Sequence, residues 1–536
     1  MKIFKNLKYL GLIALAMGFT ACNDEEDFEE FLDQPPMDAV VLPALNAGSA
    51  DFSNYVALGA SFTAGFTDGG LFKASQEDSF PNTIAKQFAN AGGGTFTQPL
   101  TADNFGGLAV GGNRIQEPRL VFGGAGPVPL ESIIGPVTVG TDLLAPPTGP
   151  FNNFGVPGAK SFHLVAPGYG SLANLSAGLA NPYAVRLTGA TPNASIVELA
   201  VAQNPTFFTL SEIGGNDVLG YATTGGDGTN LITPTATFDF VLDAMVNALT
   251  ANPNTKGAIG NIPNITSLAH FTTVPFNALD PNDEDTGAAF LAQVPVLNAT
   301  FAPLNQAFAF LGMPERAIMF SETEASPLVI HDETLPNIQA QLNAVLIGGG
   351  LDAPTAGVLS AQFAQSRQAT QADLFVLPSA SIIAQVNIDY FTQLVTAGVP
   401  AATAGQLSVN GITFPLADKW ALLPSEQAEI ADATTIYNNS ISNIASSKGL
   451  ALVDLNTILA QAASSGIQFN DFNLTTSLVT GGLISLDGIH LTARGSAIMA
   501  NSFLDAIDTT YGSNFRASGN VAKADDFGVA YSPLLQ

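Results

Sequence analysis

Four short runs constrain this chain more than any other feature, because each is apolar on both of its faces. Tyr55-Val56-Ala57-Leu58, Phe207-Phe208-Thr209-Leu210, Gly257-Ala258-Ile259 and Leu450-Ala451-Leu452-Val453 lack the in-out alternation of a half-exposed strand. Such runs suit a parallel sheet covered on both sides. Between them lie segments of helical period, at Pro81 to Phe88, Ser195 to Ala202, Phe238 to Leu249, Leu335 to Leu346, Pro424 to Ser447 and Thr492 to Ile507. In the fifth of these, Ile430, Ala433, Tyr437, Ile441 and Ile444 share one helical face. Strand and helix alternating in this way predict an α/β fold with helices on both faces of the sheet. Asp373-Leu374-Phe375-Val376-Leu377-Pro378 reads as one more buried strand. Residues 66–152 and 265–371, rich in Gly, Pro, Asn and Phe, read as long loop-rich insertions.

Apolar residues make up 46% of the 536 and charged ones only 12%, which excludes a disordered chain and a coiled coil. The 17 basic against 45 acidic residues give a net charge of −28, a field that repels phosphate backbones and argues against nucleic acid as a partner. The one cysteine, Cys22, excludes an intrachain disulfide and a thiolate metal cluster. It follows Lys2, Lys5 and Lys8 and an apolar run from Leu10 to Phe19, the order of a bacterial secretion signal. That run is half the roughly 20 residues a lasting membrane helix requires. Phe19-Thr20-Ala21-Cys22 resembles a lipoprotein signal, which makes 1–21 the removed segment and Cys22 the acylated membrane anchor. Six of the seven residues from 24 to 30 are acidic. This stretch resembles the surface-export signal of some Gram-negative lipoproteins, and otherwise serves as a solvated tether. The expected organisation is a signal at 1–21, a tether and linker at 22–50, a folded domain at 51–515 and a tail at 516–536, in an outer-membrane lipoprotein exposed at the cell surface.

In a parallel sheet, ligands bind beyond the carboxyl ends of the strands, so the polar residues there carry the chemistry. Gly59-Ala60-Ser61 turns sharply and presents a hydroxyl, Gly214-Gly215-Asn216-Asp217 offers an amide, and Asp487-Gly488-Ile489-His490 sets a carboxylate three residues before an imidazole. Alone, each is equally a helix cap or a turn. Together and in this order they resemble the SGNH or GDSL family of serine hydrolases. The resemblance implies a flavodoxin-like three-layer α/β/α fold, with Ser61 as nucleophile, His490 as base and Asp487 as the acid that orients it. It also implies an oxyanion hole from the Ser61 amide, Asn216, and the second family block at Asn153-Phe154-Gly155-Val156-Pro157-Gly158-Ala159, where Gly158 is the backbone donor. Gly106-Gly107 and Gly111-Gly112 compete for that last role. The resemblance spans 54–66, 153–162, 205–263, 373–378 and 424–508. Ala60 stands where the family motif has Asp, so the turn around Ser61 is expected to lose a polar support.

Of the four histidines, only His490 has an acid in triad position; His163, His270 and His331 read as structural. No histidine pair has ligand spacing, so metal catalysis is disfavoured, and Asp280 to Gly287 reads as a solvated acidic loop. The implied activity is acyl transfer from an ester through a covalent serine intermediate, with no cofactor. The 36 Phe against 1 Trp and 9 Tyr favour an apolar acyl ester over a polysaccharide acetate. The rival functions are a carbohydrate acetyl esterase of the same family and a surface binding lipoprotein that has lost turnover.

Overall fold

A computed structural model describes residues 41–535. The signal segment 1–21, Cys22 and the acidic stretch 24–30 lie outside them. At the centre is a sheet of five parallel strands: β1 (Tyr55–Gly59), β2 (Asn153–Gly155), β3 (Phe207–Leu210), β4 (Lys256–Gly260) and β5 (Ala451–Val453). Their spatial order is 2-1-3-4-5. This is a doubly wound order, in which the connections leaving β1 and β3 part in opposite directions and open a crevice between them. The helices around the sheet are α1 (Ser61–Ala64), α2 (Phe80–Asn90), α3 (Gly215–Thr223), α4 (Thr235–Leu249), α6 (Pro424–Lys448), α7 (Leu455–Ser464) and α8 (Ala493–Tyr511), while α5 (Gly287–Phe310) belongs to a second core.

Alternation along the buried strands sends side chains to both faces. Tyr55, Ala57, Phe207, Ala258 and Val453 meet α2 and α8, with Phe80 stacked on Phe503 at 5.0 Å. Val56, Leu58, Phe208, Leu210 and Ile259 meet α4 and α6, where Phe238 stacks on Tyr437 at 4.1 Å. Each large side chain buried this way contributes roughly 1.5–3 kcal/mol. The hydroxyl of Thr492 caps α8 by accepting from Gly495 N at 3.0 Å, and Gly512, at φ 73°, ends it.

The sheet differs from expectation at two strands. Leu374–Phe375 is not in it and pairs instead with Ala421–Leu422 in a separate antiparallel ribbon. The fifth strand is β2, whose Asn-Phe-Gly sequence has no apolar run; it is an edge strand held by pairing with β1. The 265–371 stretch contributes to a second core reaching from Val274 to Leu423. In that core α5 buries Phe290, Val294, Leu297, Phe301, Leu304 and Phe308 along one face. By length and composition alone α5 could cross a membrane, and it carries no charged residue. The 66–152 stretch contains α2 and two short hairpins, Leu108–Val110 with Asn113–Gln116 and Leu120–Phe122 with Pro127–Pro129. The folded unit begins at Leu45, within the expected linker, and Ser49 N donates to Tyr511 O at 2.9 Å. Residues 516–535 pack back onto the domain, with Tyr531 bonded to Asp78 and Gly528 O accepting from Arg494 N.

Two glycines let α1 lie against the strand ends. A Cβ on Gly59 would sit 2.2 Å from Thr63 Oγ1 and 2.6 Å from Ser211 O, and one on Gly155 would sit 2.2 Å from Ala64 N. Because the Gly155 neighbour is backbone, relief requires α1 itself to move. Gly155→Ala is therefore expected to cost about 2 kcal/mol, the scale of an overpacked core, as measured by urea unfolding; an unchanged midpoint would contradict this packing.

Candidate functional site

Strand β1 is buried along its whole length and delivers Ser61, 7% exposed, as the first residue of α1. A single-turn helix cannot satisfy its own leading N–H groups. Here the carboxylate of Glu212, two residues past β3, accepts from Phe62 N and Thr63 N, each at 2.8 Å, and from Thr63 Oγ1 at 3.0 Å. The support expected to be missing with Ala60 is thus supplied from the neighbouring strand. Glu212 holds φ at 62°, an uncommon conformation for a residue with a side chain. Burial pushes its pKa up to about 7, against the opposing pull of the two N–H groups and of His490.

The Asp487–His490 segment precedes α8. Asp487 Oδ2 lies 2.9 Å from His490 Nδ1, while Oδ1 accepts from Ile489 N at 2.9 Å and His490 N at 2.8 Å. A fourth donor, Gly69 N at 2.8 Å, reaches Oδ2 from 418 residues away in sequence. Burial raises the Asp487 pKa, but the charge of His490 and these hydrogen bonds outweigh it and hold the carboxyl well below the usual range. An ionised carboxylate only accepts, so Nδ1 carries a hydrogen, and in the neutral ring that leaves the lone pair on Nε2. Phe66 and Phe62 flank the imidazole, with ring centroids 4.7 and 5.8 Å away.

Gly69 belongs to the turn Thr67 to Gly70, which clasps the 485–491 loop. Thr67 Oγ1 donates to Leu491 O at 2.9 Å, and Asp68 accepts from Leu486 N at 3.0 Å. Burial pushes Asp68 up to about 7, opposed by the Leu486 N–H, reinforced by Asp487 and opposed again by Arg119. The Asp-Gly pair at 68–69 is a turn signal in the sequence, although nothing local says what the turn will grip.

Asn216 is the second residue of α3, and its Nδ2 donates to Ala159 O at 2.9 Å, joining the 153–159 block to the end of β3. Next to it, the buried Asp217 accepts from Ser161 N and Ser161 Oγ at 2.8 and 2.7 Å. Gly158 follows β2 in an exposed turn at φ 76°. Among the described residues, the N–H groups of Ser61 and Gly158 have no protein acceptor.

Ser61, Glu212, Asn216 and His490 line one cavity of about 100 Å³. Gly158 is not in its lining. No hydrogen bond joins Ser61 Oγ to His490 among the described residues; such bonds are often long before substrate binds. The arrangement offers a hydroxyl, an imidazole with one nitrogen held by a carboxylate, and amide donors. Those are the parts of nucleophilic acyl chemistry.

The remaining histidines lie elsewhere in the fold. His163 accepts from Lys160 N through Nδ1 and stacks on Tyr169 at 4.5 Å, and His331 lies in a short strand paired antiparallel with Ser366–Gln368. His270 backs the acid-base loop: its N–H donates to Gly488 O at 2.9 Å, and both ring nitrogens are buried without a partner among the described residues. Glu333, Asp418 and Glu426 bring carboxylate oxygens within 4.8 Å of one another, outside the cavity lining. Burial and then mutual repulsion push Glu426 up to about 8 and Asp418 to about 6. In the 280–287 loop, Asp280 and Asp283 accept hydrogen bonds from their own loop's backbone. Compared with protein families, curated proteins and solved structures, the chain matches none.

Glu212 and Asp68 both hold raised pKa values, so the folded state keeps protons that the unfolded chain releases above its ordinary carboxyl values of about 4. The stability this gives is complete below those values and is lost as pH rises through about 7. The melting temperature should accordingly fall between pH 5 and 8, and Glu212→Gln should flatten part of that slope in calorimetric scans. An identical slope in the variant would contradict the raised Glu212.

Proposed function

We propose that this chain is a serine ester hydrolase of the SGNH type. One observation carries the reading: Ser61 at the end of β1 and His490 before α8, far apart in sequence, line a single cavity, and His490 Nδ1 is held from behind by Asp487. The 2-1-3-4-5 strand order supports the flavodoxin-like sheet that the motif resemblance implies. It also puts Ser61 and Asn216 beyond the two strands where the order reverses, the position at which such sheets bind ligands.

In the proposed reaction His490 Nε2 takes the Ser61 Oγ proton as Oγ attacks the ester carbonyl carbon. The tetrahedral oxyanion is stabilised by the Ser61 N–H, the second hydrogen of Asn216 Nδ2 and the Gly158 N–H. His490 then returns the proton to the departing alkoxide, leaving an acyl-Ser61. Water, deprotonated by His490, attacks that ester; the C–Oγ bond breaks, His490 returns the proton to Ser61 Oγ, and the acid is released. Asp487 fixes the imidazole tautomer and stabilises the imidazolium formed in each step.

Ser61→Ala is expected to abolish ester hydrolysis and labelling by a fluorophosphonate while leaving the fold intact. Asp487→Asn should lower kcat by a factor on the order of 10⁴, as in other triads. More than a few per cent of wild-type turnover in folded Ser61→Ala would remove Ser61 as nucleophile. With the acid held ionised well below its usual range, the acidic limb of the pH-rate profile should not follow Asp487.

The reading extends to location: an outer-membrane lipoprotein, anchored by acylation at Cys22 and facing outward. Cys22→Ser is expected to shift the protein from the membrane fraction to a soluble or unprocessed form. Unchanged partition would overturn the anchor.

A further inference from the structure

The cavity at Ser61 is lined by 21 residues, and the only polar side chains among them are those of Ser61, Glu212, Asn216 and His490. Everything else that faces it is glycine, proline or a large apolar side chain. The apolar walls come from elements remote in sequence: Ile262 and Leu268 after β4, Leu459 on α7, Ile489 and Leu491 beside the base, and Ile498 on α8. A site that bound a sugar would have to present donors and acceptors for its hydroxyls, because unpaired polar groups lose free energy on burial. These walls present none.

Resting on the serine hydrolase reading, we propose that the substrate is an ester of a short-chain apolar acid, with the acyl chain seated in this cavity and Leu459 and Ile498 setting its length. The cavity has about 100 Å³ for the centres of water-sized groups. A dry cavity of about 150 Å³ holds one six-carbon benzene, so this is room for about four methylene-sized units. Leu459 is 6% exposed and Ile498 7% exposed, so bulk added or removed there changes the space inside rather than the outer surface. Each methylene transferred from water into such a space is expected to raise kcat/KM by roughly fourfold until the space is full.

The test is a series of p-nitrophenyl esters from acetate to laurate on the full chain, with fluorophosphonate labelling of Ser61 in parallel. The expected result is kcat/KM climbing with chain length to a maximum near four to six carbons and then falling. Leu459→Phe should move that maximum to shorter esters and Ile498→Ala to longer ones, each changing the octanoate-to-acetate ratio at least tenfold in opposite directions. If one variant fails to fold, the other and the wild-type series still decide. A flat series, or acetate as the best substrate, with Ser61 still labelled would overturn the acyl pocket and leave the serine reading standing. Neither label nor turnover with any ester would overturn both.

Discussion

The carboxylate of Asp487 accepts four hydrogen bonds, and its position holds two parts of the chain 418 residues apart together. Two come from the backbone of its own loop, one from His490 Nδ1 and one from Gly69 in the long segment after α1. A buried carboxylate short of partners would cost several kcal/mol or take up a proton. Because the fourth donor comes from the 66–152 stretch, that stretch is part of the scaffold of the site, continued by the contacts of Thr67 and Asp68 with the 485–491 loop.

A second carboxylate performs a comparable task at the other side of the cavity. Glu212 satisfies the leading N–H groups of α1, so the helix that begins with Ser61 is fixed by β3 as well as by β1. The two arrangements use the same physics, an anion at the start of a short helix or turn, but with opposite titration. Asp487 faces an imidazole and three backbone donors and is kept ionised, whereas burial pushes Glu212 toward neutrality. The cavity that Glu212 and His490 line is polar at a few atoms and apolar elsewhere.

The sequence made legible those elements whose burial is complete or whose period is long. Strands β1, β3 and β4 stand out because both faces are apolar and buried, β5 because its run is apolar although Leu452 is exposed, and α4, α6 and α8 because a long helix repeats its apolar face many times. Strand β2 left no such trace, since three residues at a sheet edge need no apolar run. The Leu374–Phe375 run was misassigned for the converse reason: a short apolar segment looks the same in a central sheet and in a two-stranded ribbon. Ser61, Asn216, Asp487 and His490 were visible as polar residues at the ends of strands and before a helix. Glu212 and Gly69 were not, because their partners lie 150 and 418 residues away.

The distance between Ser61 and His490 also bears on how the protein is made. The face of the sheet that carries Tyr55 and Ala57 is closed by α8, and the loop that holds His490 is ordered only when it meets the turn at Gly69. At roughly 5–20 residues per second, the ribosome needs on the order of 20–90 s to add the residues that separate them. Throughout that interval the chain contains a serine with no base, and the apolar side chains that α8 covers have no partner. A hydroxyl that cannot be activated is harmless to esters around it, so a chain exported before it folds, as the proposed location requires, becomes reactive only after α8 has followed Ser61 out.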